Sequence, residues 1–223
     1  MPEKIIIISN GRFGDARFLR QKMSEWEDLL IICCDGAAYN MDMAKIMPDI
    51  IIGDMDSLKP LQLKYYRAQG INIIEYPSQK DLTDTELALD YAINLKPEEI
   101  YIWGALGGRI DHILGNVFLL IKGKKAGINT FLIDEYGEAF MPQGEVVFQD
   151  AAGSTVSLLA LSAKVEDITM SGFFYPLYKE TLHRGETRGL SNYINDITAK
   201  ITFSAGELLV IRYWQEDMFP EAA

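Results

Sequence analysis

Six short apolar runs, at 5–8, 29–34, 50–52, 71–75, 100–103 and 130–133, punctuate the first half of the chain. Each is rich in Ile, Leu or aromatic residues, and Ile5-Ile6-Ile7-Ile8 and Ile50-Ile51-Ile52 carry no polar alternation at all. Unbroken runs of that length are what strands buried on both faces of a sheet look like. The intervals between them are long enough for helices, so the rhythm predicts βαβ units around a mostly parallel, Rossmann-like sheet. Two helices can be placed. Thr83-Asp84-Thr85-Glu86 fits a capping box with Thr83 as N-cap and Glu86 at N3, and Leu82 and Leu87 stand at the positions of a hydrophobic staple. Leu87, Ala88, Tyr91, Ala92 and Leu95 continue one apolar face up to Pro97. A second helix begins near Arg109, where Ile110, Ile113, Leu114, Val117 and Ile121 recur at helical spacing and are expected to face the core.

The pattern changes after about residue 140. Runs at 145–148, 155–159, 165–170, 196–203 and 208–214 read as strands separated by Gly, Ser and Asn, with no helix-length periodic segment among them. An all-β, sandwich-like second domain follows. Met141-Pro142-Gln143-Gly144 falls in the expected boundary region, which divides the chain into domains 1–140 and 141–223.

At 223 residues and 48% hydrophobic, the chain is long and apolar enough to bury a sizeable core. Its 21 basic and 32 acidic residues give a net charge of −11, which disfavours non-specific nucleic acid or an anionic membrane as partner. A nucleotide is still admissible, because a metal and a few local cations can reverse the field inside a cleft. Cys33 and Cys34 are adjacent within an apolar run and read as buried thiols of a reducing compartment. With no signal peptide evident and no run long enough to span a bilayer, the expected location is cytoplasmic.

Chemistry concentrates in three segments. Gly53-Asp54-Met55-Asp56-Ser57 ends a buried strand, where an open α/β sheet places its ligands, and aspartates spaced i, i+2 in an extended exit point the same way. Two bare carboxylates about 5 Å apart repel by roughly 3 kcal/mol at an effective dielectric near 20, so such a cluster calls for a cation such as magnesium. A polar turn with capping aspartates would account for the same residues. Lys80-Asp81-Leu82-Thr83-Asp84 repeats the acidic theme before a helix, although helix capping alone suffices for Asp84. Gly107-Gly108-Arg109 could bring backbone amides, a helix N-terminus and a guanidinium to an anion, or could be a plain tight turn. His112 fits a helix surface as well as a proton carrier. Asn10-Gly11-Arg12-Phe13-Gly14 lacks the third glycine of a dinucleotide fingerprint, and no P-loop or zinc spacing occurs. In the second half, segments 172–178 and 189–193 are aromatic and turn-rich, suited to stacking on a flat heterocycle or to simple core packing.

Taken in order, Cys34-Asp35-Gly36-Ala37-Ala38, Gly53-Asp54-Met55-Asp56-Ser57, Lys80-Asp81-Leu82-Thr83-Asp84, Gly107-Gly108-Arg109-Ile110-Asp111-His112, Tyr175-Pro176-Leu177 and Gly189-Leu190-Ser191-Asn192 resemble the motif series of the thiamine pyrophosphokinases. Ala37 stands where that family usually has a second glycine, and Tyr39 near its usual Asn. The resemblance implies transfer of the diphosphate of ATP to the hydroxyl of thiamine, releasing AMP. It further implies an α/β nucleotide domain, a thiamine-binding β-sandwich, and a homodimer with active sites at the subunit interface. Carried over by motif, Asp54, Asp56 and Asp84 would hold Mg2+, and Asp35, Lys80, Thr83, Gly108 and Arg109 would bind ATP. Asp84, Asp111 or Asp81 would serve catalysis, and Leu190, Ser191, Asn192 and Tyr193 would meet thiamine. Two other readings stay open. One is a metal-dependent phosphatase or phosphotransferase with Asp54 as nucleophile, since strand-D-x-D-S opens that chemistry too. The other is a non-catalytic nucleotide- or thiamine-binding regulatory protein.

Overall fold

A computed structural model describes residues 2–79 and 81–214 of the chain. It divides into two compact units, the first ending at Glu135 and the second beginning at Tyr136. Residues 137–140, just before the expected 140/141 boundary, form a strand paired within the second unit.

In the first unit, β1 (Lys4–Ile8), β2 (Leu29–Cys34), β3 (Ile50–Gly53), β4 (Asn72–Glu75), β5 (Glu99–Trp103) and β6 (Asn129–Ile133) alternate with α1 (Ala16–Ser24), α2 (Ala38–Ala44), α3 (Pro60–Ala68), α4 (Asp84–Asn94) and α5 (Ile110–Lys125). The strands lie in the order β6-β5-β1-β2-β3-β4, and every neighbouring pair is parallel. Isoleucines 5–8 are all fully buried, as their unbroken run requires. Cys33, Ile51, Tyr66 and Trp103 belong to the same core cluster as Ile6 and Ile8.

Thr83 caps α4 as expected, its hydroxyl accepting from the Glu86 amide at 3.2 Å. The carboxylate of Glu86 turns to Lys122 of α5 instead, at 2.9 Å, and the same ammonium reaches Asp90 at 2.6 Å. The expected inward face of α5 is corrected at Ile110 and Leu114, while Ile113, Val117 and Ile121 are half-buried. Ile110 is 74% exposed and Leu114 53%, while Leu119, Leu120 and Gly123 are the buried residues. Periodicity identifies an apolar stripe but not what covers it, and here the stripe Ile110, Leu114, Phe118 faces out.

The second unit contains β7 (Gly137–Phe140), β8 (Glu145–Gln149), β9 (Thr155–Ala160), β10 (Lys164–Ser171), β11 (Glu180–His183), β12 (Asn192–Tyr193), β13 (Thr198–Thr202) and β14 (Leu208–Tyr213). They make two four-stranded antiparallel arrays, β12-β9-β14-β7 and β11-β10-β13-β8. This is the expected all-β, sandwich-like arrangement. Phe148 and Phe173 meet edge to face within it, and the guanidinium of Arg212 lies between the Phe148 and Trp214 rings, 5.5 and 4.6 Å from their centroids. No helix among the described residues is long and apolar enough to cross a membrane.

Candidate active site

Strand order in the first unit reverses at β1, since β2, β3 and β4 step away on one side and β5 and β6 on the other. A crevice therefore opens beyond the carboxyl ends of β1 and β5, where the two chains of connections part. The exits of these strands are pinned together, the Ser9 amide donating to Trp103 carbonyl at 2.8 Å and the Gly11 amide to Gly104 carbonyl at 2.9 Å. A buried hydroxyl pair, Ser9 and Thr85 at 2.6 Å, ties the same exit to the first turn of α4. The crevice has a volume of about 600 Å³ and is lined by Asn10, Arg12, Thr83, Asp84, Gly108 and Arg109, among others. That is room for a nucleotide-sized ligand. Three of these residues were expected from sequence to bind ATP. Asn10 and Arg12 were not, because the loop failed the dinucleotide fingerprint; only the topology reveals that it lies at the reversal point.

One side of the crevice favours anions. Gly107 and Gly108 have φ of 81° and 97°, so the turn into α5 uses a backbone conformation that only glycine adopts readily. Arg109 occupies the N-cap of α5 without a side-chain capping bond, which leaves the field of that helix terminus open to a ligand. The Arg109 guanidinium forms a fork with Asp111, at 3.1 and 2.5 Å. Hydrogen bonding from Arg109, aided by the His112 amide, holds the Asp111 carboxyl down at about 2. Arg12 is oriented by Glu135 at 2.6 Å and Asp134 at 3.3 Å.

Next to the crevice, beyond Asn10 and Asp84 of its lining, lies an acidic cluster. Carboxylate oxygens of Asp35, Asp54 and Asp56 all lie within 4.8 Å of one another. The two aspartates of the D-x-D segment converge by a turn and not, as expected, by extended alternation. Met55 between them has φ of 64°, and the Asp56 amide donates back to Asp54 Oδ1 at 3.2 Å. Gly53 is needed for close approach, since a Cβ there would lie 2.5 Å from Asp35 Cγ. Asp35 is 3% exposed; its Oδ1 accepts from the Gly36 amide at 2.6 Å, while its Oδ2 has no hydrogen-bond partner. Burial, then the negative charges of Asp84 and Asp54, push its carboxyl up to about 6 against the pull of the Gly36 and Met55 amides. An orphaned buried oxygen beside two further carboxylates is a donor set suited to a hard divalent cation. Asp84 lines the crevice and its charge is felt at Asp35, but it is not one of the three within 4.8 Å.

Of the other expected residues, Lys80 lies outside the described residues. Asp81 is exposed on the loop before α4. Asp111 borders a smaller hollow of about 240 Å³ that shares Thr83 and His112 with the main crevice. In the second unit, Leu190 and Ser191 are exposed, Tyr193 is half-buried and Asn192 is buried. The amide of Asn192 is spent internally. Its Oδ1 accepts from the Tyr175 and Tyr193 amides, both at 3.0 Å, and its Nδ2 donates to the Tyr175 carbonyl at 2.8 Å. Asn192 thus fixes an aromatic group in which the Phe174 centroid is 4.7 Å from that of Tyr175 and 5.4 Å from that of Tyr193. Ser191 adopts φ of 55° and donates its amide to Ser157 at 3.0 Å.

Comparison with known proteins agrees with both units. Residues 21–132 match the family described as thiamin pyrophosphokinase, catalytic domain, and residues 145–208 match thiamin pyrophosphokinase, vitamin B1 binding domain. The chain is 34% identical over 188 residues to the thiamine pyrophosphokinase of Bacillus subtilis (strain 168), covering 83% of this chain and 88% of that protein. The crystal structure of a Bacillus subtilis thiamine pyrophosphokinase superposes with a TM-score of 0.83 at 31% identity, over 94% of this chain and 98% of that one. That of Geobacillus thermodenitrificans thiamin pyrophosphokinase gives 0.77 at 29% identity, over 94% and 97%. On motif order, fold and extent of match, the chain belongs to the thiamine pyrophosphokinase family.

Proposed function

We propose that this protein is an ATP:thiamine diphosphotransferase, in which the thiamine hydroxyl attacks the β-phosphorus of ATP in line and AMP leaves. The observation that carries this reading is an anion-favouring helix terminus on a crevice whose Asp84 adjoins a converging carboxylate cluster. Phosphorus chemistry of this kind rests on positioning and charge neutralisation more than on a strong base. Arg109 and the amides of the Gly107-Gly108 turn bind phosphate oxygens, and Thr83, Asn10 and Arg12 line the nucleotide's bed. Lys80 is assigned to the phosphates by its motif. Asp54 and Asp56, with Asp84 alongside, would hold Mg2+, which would supply neutralisation of phosphate charge. Among the carboxylates considered for the hydroxyl proton, Asp84 is favoured because it lines the crevice. Asp111 is engaged by Arg109 and holds its proton only near pH 2, and Asp81 lies on the exposed loop. Thiamine is assigned to the second unit, where Leu190, Ser191 and Tyr193 present atoms that Asn192 positions.

Purified protein supplied with ATP, Mg2+ and thiamine is expected to yield AMP and thiamine diphosphate in equal amounts. ADP as the main nucleotide product would overturn the reading and favour single-phosphoryl transfer. A phosphoryl adduct on Asp54 would favour the aspartyl-nucleophile alternative.

The same reading includes a homodimer with active sites at the subunit interface, acting in the cytoplasm, where the free, buried Cys33 and Cys34 stay reduced. The exposed stripe Ile110, Leu114, Phe118 begins beside Arg109 and is the surface that supports self-association. Leu114→Asp is expected to shift the protein from dimer to monomer in sedimentation velocity while retaining its circular dichroism. An unchanged dimer would remove this stripe from the interface.

A further inference from the structure

We propose that Arg12 sets the base specificity of the nucleotide site, its guanidinium plane stacking on the purine of ATP, with Asp134 and Glu135 as its positioning residues. The proposal deepens the diphosphotransfer reading and rests on it for the direction in which the phosphates point.

Arg12 precedes every motif that carries the family resemblance, so its role has to be read from place and charge. It follows β1, whereas Asp134 and Glu135 follow β6, and β5 lies between those strands. The side chain therefore crosses the exit of β5. It passes beside the anion-favouring turn, where a Cβ on Gly107 would lie 3.0 Å from Arg12 Cβ and 3.1 Å from its Nε. Asp35 and Asp54 follow β2 and β3, on the far side of β1. β6 and β2 are three steps apart in the sheet, roughly 14 Å at the usual strand spacing. A nucleotide whose phosphates run from the Gly107-Gly108 turn toward those carboxylates has its base toward Arg12.

Charge decides between a base and a phosphate as the ligand of Arg12. Nη1 donates to Glu135 Oε1 at 2.6 Å and Nη2 to Asp134 Oδ2 at 3.3 Å. Gly14 makes room for this arrangement, since a Cβ there would lie 2.3 Å from Glu135 Oε2, an oxygen that is buried and has no hydrogen-bond partner. One guanidinium between two carboxylates is a net negative group, which repels a phosphate but not a neutral base. Arg109, closed on Asp111, has no such excess. With Nη1 and Nη2 already donating, what Arg12 brings to a ligand is its plane. The side chain is 39% exposed and lines the crevice, and a guanidinium held in one orientation is a stacking partner for an aromatic base. A purine, with two fused rings, covers that plane better than a pyrimidine.

The test is isothermal titration calorimetry of the whole chain with Mg2+ and without thiamine, using ATP, CTP and inorganic tripolyphosphate as ligands. Arg12→Ala is expected to weaken ATP about tenfold, CTP less than about threefold, and tripolyphosphate not at all. Arg12→Lys keeps the charge without the plane and is expected to behave as Arg12→Ala does. Glu135→Gln loosens the guanidinium and removes a repelling charge, so ATP should bind more weakly and tripolyphosphate more tightly; a merely structural role would weaken both. Three ligands weakened equally in Arg12→Ala, full recovery in Arg12→Lys, or ATP bound by Arg12→Ala as by wild type would overturn the proposal. The expected pattern in a protein whose wild type makes no thiamine diphosphate would support base recognition and refute only the diphosphotransfer reading.

Discussion

Asp56→Asn is expected to lower the rate of thiamine diphosphate formation by about 10³-fold, because replacing an anionic metal ligand by a neutral one removes several kcal/mol of charge stabilisation. The fold should survive. Asp56 is exposed, and its hydrogen bonds are local, to the Ser57 hydroxyl at 3.1 Å and from its own amide to Asp54. Circular dichroism and melting temperature in chelator should therefore match wild type within error. Removing one of several crowded carboxylates also relieves repulsion, so any change in apo stability should be an increase. The loss should be partly recovered at high Mn2+, since a weaker site fills by mass action. A variant that turns over at the wild-type rate at low Mg2+ would take Asp56 out of the metal site.

Arg109→Ala should be the second large effect, lowering kcat/KM for ATP by about 10²-fold through loss of a charge-assisted phosphate contact. Arg109→Lys should recover only part of it, since an ammonium keeps the charge but not the planar fork. Arg109 also has a partner to exchange. Its fork is closed on Asp111, and that contact is the main reason the Asp111 carboxyl is held at about 2. In Arg109→Ala the Asp111 carboxyl should titrate upward toward the ordinary aspartate range, which carbon-detected NMR can follow. An Asp111 carboxyl that stays at the same value would show that Arg109 is not what holds it. Unchanged kinetics for ATP would remove Arg109 from the phosphate site.

The sequence carried much of this because the relevant constraints are local. Four consecutive isoleucines demand burial on both faces, and Thr83 three residues ahead of Glu86 marks a helix start; β1 and α4 follow. The acidic motifs and the Gly107-Gly108-Arg109 turn were likewise visible as compositions that sit at strand-to-helix junctions. What stayed hidden depends on topology or on neighbours. The outward face of α5 was misassigned because Ile110 and Leu114 repeat at the same spacing whether a core or a partner covers them. Strands β7, β11 and β12 are four, four and two residues long, too short for alternation to register. Asn10 and Arg12 gained meaning only from the reversal of strand order beside β1. Asp54 and Asp56 converge through a left-handed Met55, which no spacing rule anticipates. That Asn192, expected to meet thiamine, also holds the Tyr175 turn through its amide is a matter of neighbours.

The central claim is that the bond broken joins the α- and β-phosphates, with the β-phosphorus seated between Arg109 and the carboxylate cluster. Two ATP analogues separate it from its rival: one with an imido bridge between the β- and γ-phosphates, the other with a methylene bridge between α and β. Supplied with thiamine and Mg2+, the protein should release AMP from the imido analogue and nothing from the methylene analogue. Inertness toward the former with turnover of the latter would mean that the terminal phosphate alone is transferred, and would contradict the account.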